Sequence, residues 1–530
     1  MRLLSVEIIK SYTCGGLLDG LNVNFREIEF VQTSNLGVLS FSPLCFLGMN
    51  GSGKSQLLQA IVEIFQLIIH KASPSKERKP SNPEIEFNIE YIIFDATNNP
   101  IHIRANQKRI KNKLLFSLYK KIDDGFEEIA PEIFSNFIPE LIIGYTSGQN
   151  ETLSLPFLVS QRHYAEEVAN AAKDQQKKSK AIEDTALMFI DYSTNLEVLI
   201  SNLVMDNQLR AEQILQKLKL QQIHSFRCVI QLNHSAVSTK VILTPELEEY
   251  LQNLINCCTC YNYDLNTATY TIDFFVTAAT ITAFKTFWHN ALDLYTSLHK
   301  ISLLNDLAIR KNIRERFKRD LAKRSFANKL PEPQDEDKVF KFERVRFSTT
   351  NKVVDYVSLS DGEHQLAQIL GVLSMIGKKN VLFILDEPES HFNPQWRTKF
   401  ISNVMDLETN NGKRKDNKSS MQEMVITTHS PFLPSDMDRN NIFIFSKDIQ
   451  NDQVKILAKK PNNQTFGAKF DNILDDCFAI DPPISKLSED FIKDLLKTGS
   501  IPEIEAALTQ LGQSIERMKL VARLQMLKVK

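Results

Sequence analysis

Short apolar bursts alternate with polar turns through the first part of the chain. This pattern predicts strands at Leu3–Ile9, Leu44–Leu47, Ile85–Phe94, Ile101–Arg104, Leu114–Tyr119 and Leu141–Tyr145. Directly after Leu44–Leu47 the period changes. Leu57, Ile61, Ile64, Phe65 and Ile68 recur at helical spacing, so a helix with one apolar stripe follows that strand. Lys71–Pro83 is polar and rich in Lys, Pro and Ser, and reads as a mobile loop. From about residue 160 to 325 helical periodicity dominates, notably over Ile182–Leu220 and Ala283–Arg324, with strand-like Phe226–Leu232 and Tyr270–Phe275 between them. No heptad register is sustained, so this stretch predicts a compact inserted lobe, not a coiled-coil arm. Acidic, proline-bearing Pro331–Lys338 reads as its exit linker.

Strand patterns resume at Val339–Phe347, and a helix starts near Asp361. Val381–Leu385 is apolar at every position, the mark of a parallel strand buried on both faces. Polar, basic Thr409–Ser420 reads as a loop. Strands are expected at Met424–Thr428, Ile442–Phe445 and Val454–Leu457, and the tail from Ile484 is amphipathic and helical.

Composition narrows the function. Of 530 residues, 43% are hydrophobic and 24% charged, which is globular and enough for several domains. The formal net charge of -1 excludes a polycation, so any nucleic-acid surface is local. No stretch approaches ~18 uncharged apolar residues, and the N-terminus lacks the pattern of a secretory signal. Seven cysteines, an odd number in a long chain, fit a reducing cytoplasm. Cys257, Cys258 and Cys260 cluster, but no second Cys or His pair lies nearby in sequence to complete a metal site, so they read as ordinary thiols.

The strongest chemical signal is GMNGSGKS, Gly48 to Ser55, between an apolar strand and an apolar-striped helix. It fits the phosphate-loop pattern in the context that pattern requires. Gly48, Gly51 and Gly53 let the backbone curl, so the N–H groups around Asn50 and Ser52 can point at phosphate oxygens. The helix opening at Lys54 adds its positive dipole end. Lys54 should reach the outer phosphates, and the Ser55 hydroxyl should ligate Mg²⁺, which prefers oxygen.

VLFILDEPE, Val381 to Glu389, ends a buried strand in two carboxylates. Asp386 is the candidate for the Mg²⁺ shell, and Glu387 for the base that polarises the attacking water. SLSDGEHQ, Ser358 to Gln365, lies shortly before it. A Ser–Gly helix start of this kind is a good anion site.

These elements resemble the ABC ATPase superfamily in kind and order. The resemblance implies that Ser360 and Gly362 bind the γ-phosphate held by an opposite subunit. It makes His429, in MVITTHSPF, the switch histidine, and Gln149, in LIIGYTSGQNE, the glutamine that touches nucleotide and metal; the latter loop also reads as a simple turn. DEPESHFNP, Asp386 to Pro394, is similar to the run found in RecF-like and OLD-like cytosolic ATPases, which act on or beside nucleic acid. After Phe445 only about 80 residues remain, with no TOPRIM pattern, and no HNH pattern occurs anywhere, so no nuclease activity is expected within the chain.

GMNGSGKSQLL, GYTSGQNE, LSDGEHQ, DEPESHFNP, TTHSPF and TFGAKFDNIL together resemble the PtuA ATPases of Septu anti-phage systems, retron-associated versions included, along nearly the whole chain. The resemblance implies an α/β fold: an ABC-type P-loop ATPase head with a mixed sheet and a large, mainly helical inserted lobe. Residues 1–158 and 339–462 would form the head, 159–338 the lobe, and 463–530 a helical tail for partner docking. It further implies ATP and Mg²⁺ as ligands, a homodimer or higher homo-oligomer, and a PtuB-like HNH nuclease as partner, with or without a retron reverse transcriptase and its DNA. Two other readings stay open: a stand-alone RecF-type DNA-repair ATPase and a nucleotide-dependent scaffold.

RKNIRERFKRDLAKR, Arg310 to Arg324, holds eight basic and two acidic residues, with Ile313, Phe317 and Leu321 on one stripe. Docked on that stripe, the helix would present Lys311, Arg314 and Lys318 to phosphates. A solvated helix face, or a site for an acidic protein, is the other reading.

Overall fold

The computed structural model describes residues 1–12, 14–26, 41–123, 125–148, 151–174, 182–191, 194–205, 214–233, 241–323, 333–409, 412–414, 421–450 and 453–529. Three main sheets, with strands numbered along the chain, organise an α/β architecture. The first is antiparallel, in the order β2 (Leu21–Asn24), β1 (Arg2–Lys10), β4 (Glu86–Phe94), β5 (Pro100–Ile110), β6 (Lys113–Ile122), β7 (Gly125–Glu128).

The second sheet carries the candidate chemistry. Its order is β20 (Gln453–Lys459), β19 (Ile442–Gln450), β3 (Leu44–Gly48), β18 (Glu423–Thr427), β15 (Val381–Asp386), β8 (Leu141–Thr146), β9 (Leu187–Ile190). All neighbours pair in parallel except β19 and β20, so the sheet is mixed. β3, β15 and β18 are buried at every position, as strands covered on both faces are. A small pair, β16 (Glu408–Thr409) and β17 (Gly412–Lys413), lies apart.

α1 (Lys54–Ala72) follows β3 and is buried along nearly its whole length, Gln59, Glu63 and Gln66 included. The sequence shows a striped helix; the structure covers it on all sides and satisfies its polar groups internally. Gln59 Nε2 donates to Glu63 Oε1 at 2.8 Å, and Asn82 Nδ2 donates to Glu63 Oε2 at 2.6 Å. The segment expected as a mobile loop is thereby tied down: Glu77 and Asn82 are fully buried. Glu77 accepts from Ser160 Oγ at 2.9 Å, on α2 (Glu151–Lys173), and from Gln66 Nε2 at 3.3 Å.

Burial pushes the Glu77 carboxyl up to about 7. A carboxyl raised on folding adds stability that is complete below its ordinary value of 4.5 and is lost as pH rises through 7. Between those pH values the wild-type chain should lose up to about 3 kcal/mol more than Glu77→Gln, read from denaturant unfolding of both. Parallel curves would show that Glu77 does not titrate in this window.

The third sheet is antiparallel, in the order β11 (Cys260–Asp264), β12 (Thr269–Phe275), β10 (Gln222–Gln231), β13 (Phe340–Ser348), β14 (Val353–Asp355). The helices along this part of the chain are α3 (Asn195–Met205), α4 (Pro245–Cys257), α5 (Ala278–Phe287), α6 (Ala291–Ser302) and α7 (Lys311–Lys323). Two local expectations change. Leu187–Ile190, inside a stretch read as helical, is the outer parallel strand β9, because a four-residue apolar run does not reveal its period. Phe340–Ser348, expected in the head, pairs with β10 in this sheet, and α8 (Asp361–Met375) follows β14.

α3 packs against α8. A Cβ at Gly371 would meet Val198 Cγ1 at 2.7 Å, and Asn202 Nδ2 donates to Gly371 O at 3.1 Å. After the short helices α9 (Pro394–Arg397) and α10 (Phe400–Asp406), the tail forms α11 (Phe470–Phe478) and then α12 (Lys486–Thr498), α13 (Ile501–Gln510) and α14 (Ile515–Val529). The last three share a small core of Ile492, Ile504 and Leu520. Among the described residues no helix is long and apolar enough to cross a membrane. Cys228 and Cys257 are buried, Cys258 is half-buried and Cys260 is exposed.

Candidate nucleotide site

The C-terminal ends of β3, β18 and β15 converge because these strands are parallel neighbours. Register sets Asp386 beside Thr427, and Thr427 beside Phe46. The loop from Gly48 to Gly53 leaves β3 at this edge. Gly48, Gly51 and Gly53 all have positive φ, at 141°, 73° and 95°, in the region that favours glycine. At Gly48 a side chain is impossible without rearrangement, since a Cβ there would lie 2.3 Å from Phe445 O. Gly53 caps α1 in the left-handed conformation and directs the helix N-terminus into the loop. Met49, Asn50 and Gly51 are exposed, whereas Ser52, Gly53 and Lys54 are buried.

Lys54 Nζ donates to Gly48 O at 2.9 Å and Met49 O at 3.2 Å, and lies 3.1 Å from His429 Nε2. Burial lowers its ammonium to about 8, against the opposing pull of Glu387 and Asp386. These direct partners leave the cation without a hydrogen-bonded anion, which a phosphate oxygen would supply. Ser52 Oγ is buried with no hydrogen-bond partner among the described residues, another donor aimed at no protein acceptor.

Ser55 Oγ sits 3.1 and 3.0 Å from the two Asp386 oxygens, and Asp386 is 4% exposed. A hydroxyl and a buried carboxylate in contact are hard oxygen ligands of the kind Mg²⁺ takes, so the residues fit that ion. Thr427 Oγ1 donates to Asp386 Oδ1 at 2.5 Å and accepts from Glu387 N at 3.0 Å. The sequence reading passed over Thr427. Its only signal was that it ends a strand that would lie beside Val381–Asp386.

Glu387 adopts φ 49°, a left-handed conformation that costs a non-glycine residue about 1–2 kcal/mol. Two contacts hold it there, from Glu387 N to Thr427 Oγ1 and to Thr427 O at 3.2 Å. The turn lifts the carboxylate off the strand and brings Oε1 within 3.0 Å of His429 Nε2. The His429 contact holds the Glu387 carboxyl below its ordinary value, against the effect of burial. Nε2 therefore faces both an ammonium and a carboxylate. It accepts from Lys54 when unprotonated and donates to Glu387 when protonated, and cannot do both at once. Next to this pair, Thr428 Oγ1 donates to Glu389, whose carboxyl burial raises to about 7.

One chain thus brings together Gly48–Ser55, Asp386, Glu387 and His429. It does not bring Ser360 to them. Ser360 is exposed, and its side chain bonds to Glu363 in a capping box that opens α8: Ser360 Oγ donates to Glu363 Oε2 at 2.8 Å, and Glu363 N donates to Ser360 Oγ at 3.4 Å. Gly362 is buried, and a Cβ there would lie 2.7 Å from His391 O. The glycine therefore has a packing role, letting the start of α8 approach the chain just past Glu389. Gln149 lies outside the described residues; α2 follows it.

Residues 280–436 match the family described as AAA domain, putative AbiEii toxin, Type IV TA system. That span contains Ser360, Gly362, Asp386, Glu387 and His429. The phosphate loop lies before it. No curated protein matches the chain. The match agrees with the geometry on a P-loop ATPase domain, reached from the signature-to-histidine half by similarity and from the Gly48–Ser55 half by structure.

The basic helix α7 is real but partly committed. The Arg162 guanidinium of α2 lies 3.9 Å from the Phe317 ring centroid, and Lys318 Nζ pairs with Glu166 at 2.7 Å. Lys318 is thus tied to α2 while staying exposed. Arg310, Lys311 and Arg319 remain exposed, while Leu321 has no described side chain and Arg324 lies outside the described residues.

Proposed function

We propose that this chain is the ATP-binding and ATP-hydrolysing subunit of an anti-phage defence complex of the PtuA kind. Two copies meet head to tail, and the resulting closure restrains or releases a partner HNH nuclease. The observation that carries the ATPase reading is the cluster of Lys54, Ser55, Asp386, Glu387 and His429 at one sheet edge, with Ser360 exposed and capping α8 away from that cluster.

In this reading the glycine loop and Lys54 bind and orient the phosphates. Ser55 and Asp386 would hold Mg²⁺, which when bound neutralises charge between phosphate groups. Glu387 Oε1 takes a proton from the attacking water, and its lowered pKa keeps it ionised for that task. His429 would exchange its Glu387 contact for the terminal phosphate, so the base is released as substrate binds. Ser360 and the N-terminus of α8 would complete the site from the opposite copy.

Three observations support a macromolecular partner. The family description names a putative toxin of a toxin–antitoxin system, which suits a defence role. The tail exposes Leu487, Ile515, Met518 and Met526, apolar side chains suited to docking. The exposed cations of α7 suit nucleic acid, retron DNA included.

The test is native co-purification of the tagged chain from its own host, with mass spectrometry and nucleic-acid analysis. An HNH protein travelling with it, with or without a reverse transcriptase and branched DNA, is the expected result. A lone dimer carrying only bulk DNA, with DNA-stimulated turnover, would replace the defence reading with a repair ATPase.

A further inference from the structure

Phe443, Phe445 and Lys447 alternate along β19 on one face of the central sheet. The two phenylalanines are buried in the core that also holds α1, so Lys447 emerges on the α1 side. β19 pairs with β3 at Phe445↔Gly48, and Lys447 therefore stands just past the end of β3, where the phosphate loop crosses toward α1. The contact is close: a Cβ at Gly51 would lie 3.4 Å from Lys447 Nζ. Lys447 is exposed, and among the described residues its ammonium has no ion-pair or hydrogen-bond partner. Neighbouring Asp448 falls on the opposite face by strand alternation.

Strand order gives this cation its role. His429 and Glu387 lie on the β18 and β15 flank of β3, and Lys447 lies on the other flank. A phosphate chain whose terminal group meets Glu387 and His429 presents its inner phosphates toward β19. An unpaired ammonium at the loop's rim on that side is a charge-assisted partner for them.

We infer that Lys447 is a second nucleotide-binding lysine, which contacts the α- and β-phosphates from the side of the loop opposite His429. This rests on the ATPase reading and adds to it a residue that no motif marks. Because the inner phosphates are common to both nucleotides, Lys447 strengthens the binding of diphosphate and triphosphate alike, whereas His429 acts on the triphosphate alone.

The test is calorimetric titration of the purified full chain with ADP and with the non-hydrolysable triphosphate AMP-PNP, at two ionic strengths. Lys447→Ala should weaken both ligands about fivefold to tenfold, with a smaller loss at high salt, and Lys447→Arg should stay within about twofold of wild type. Thermal melts without nucleotide should coincide, since the side chain is exposed. Unchanged affinity for both ligands in Lys447→Ala would overturn the inference, and loss for AMP-PNP alone would overturn the placement at the inner phosphates. Lys54→Ala separates the two levels. If it abolishes binding while Lys447→Ala matches wild type, only this inference falls; if wild type binds neither nucleotide, the ATPase reading falls first.

Discussion

A Glu387→Gln chain should lose about a hundredfold or more in ATP turnover while retaining nucleotide affinity. In the proposed mechanism the carboxylate takes a proton from water, and removing a positioned general base costs about 10²–10⁴ in rate. The amide keeps the shape and the backbone contacts that hold the left-handed turn, from Glu387 N to Thr427 Oγ1 and O. Turnover falls, then, without loss of the fold or of the phosphate loop. With hydrolysis blocked and closure depending on the triphosphate, closed dimers should accumulate with ATP and not with ADP. Phosphate release gives the rate, and light scattering gives the assembly. An unchanged rate would remove Glu387 from the proton-transfer role and redirect attention to Glu389, a buried carboxylate two residues on.

The second large effect concerns the head-to-tail geometry. Lys54→Ala and Ser360→Arg should each abolish turnover alone, the first by removing the phosphate cation and the second by filling the α8 N-terminus with bulk and charge. Mixed in equal amounts and allowed to exchange, they should regain about a quarter of wild-type activity. Half of the dimers are then mixed, and each mixed dimer has one site with an intact loop from one copy and an intact Ser360 from the other. If Ser360 instead acted within its own chain, every site in the mixture would carry a defect and no activity would return. That result would refute the composite site and leave the single-chain cluster in place. Among the described residues, the side-chain hydrogen bonds of Ser360 are with Glu363, which leaves it apart from the cluster in its own chain.

Much of the site was legible in advance because its motifs are local. A phosphate loop needs glycines at fixed offsets to adopt positive φ, followed at once by a helix start, and Gly48 to Lys54 spell this within one short run. The buried parallel strands were legible for a similar reason, since β3, β15 and β18 each carry an unbroken apolar run. Where the signal was short or two-sided, it failed to specify structure. Leu187–Ile190 has too few residues to show a period, and only a vacant edge beside β8 makes it a strand. Glu77 and Asn82 sit in a run that reads as a solvated loop, yet both are buried, because α1 and α2 offer Glu63, Gln66 and Ser160 as partners. Lys318 read as a free cation until Glu166 of α2 faced it.

The sequence by itself determined the candidates for the chemistry: Lys54 and its loop for phosphate, Ser55 and Asp386 for a metal, Glu387 for a proton. Those roles follow from residue type and short spacing. Only the tertiary structure decided which of them share a site. Parallel pairing of β3, β18 and β15 brings Lys54, His429 and Asp386 together from three distant segments, with Thr427 between them. The same pairing places Lys447, on the next strand, at the rim of the glycine loop, and leaves Ser360 outside the single-chain cluster. Sheet order and register are set by which apolar faces bury one another across the whole chain, and no local spacing encodes that.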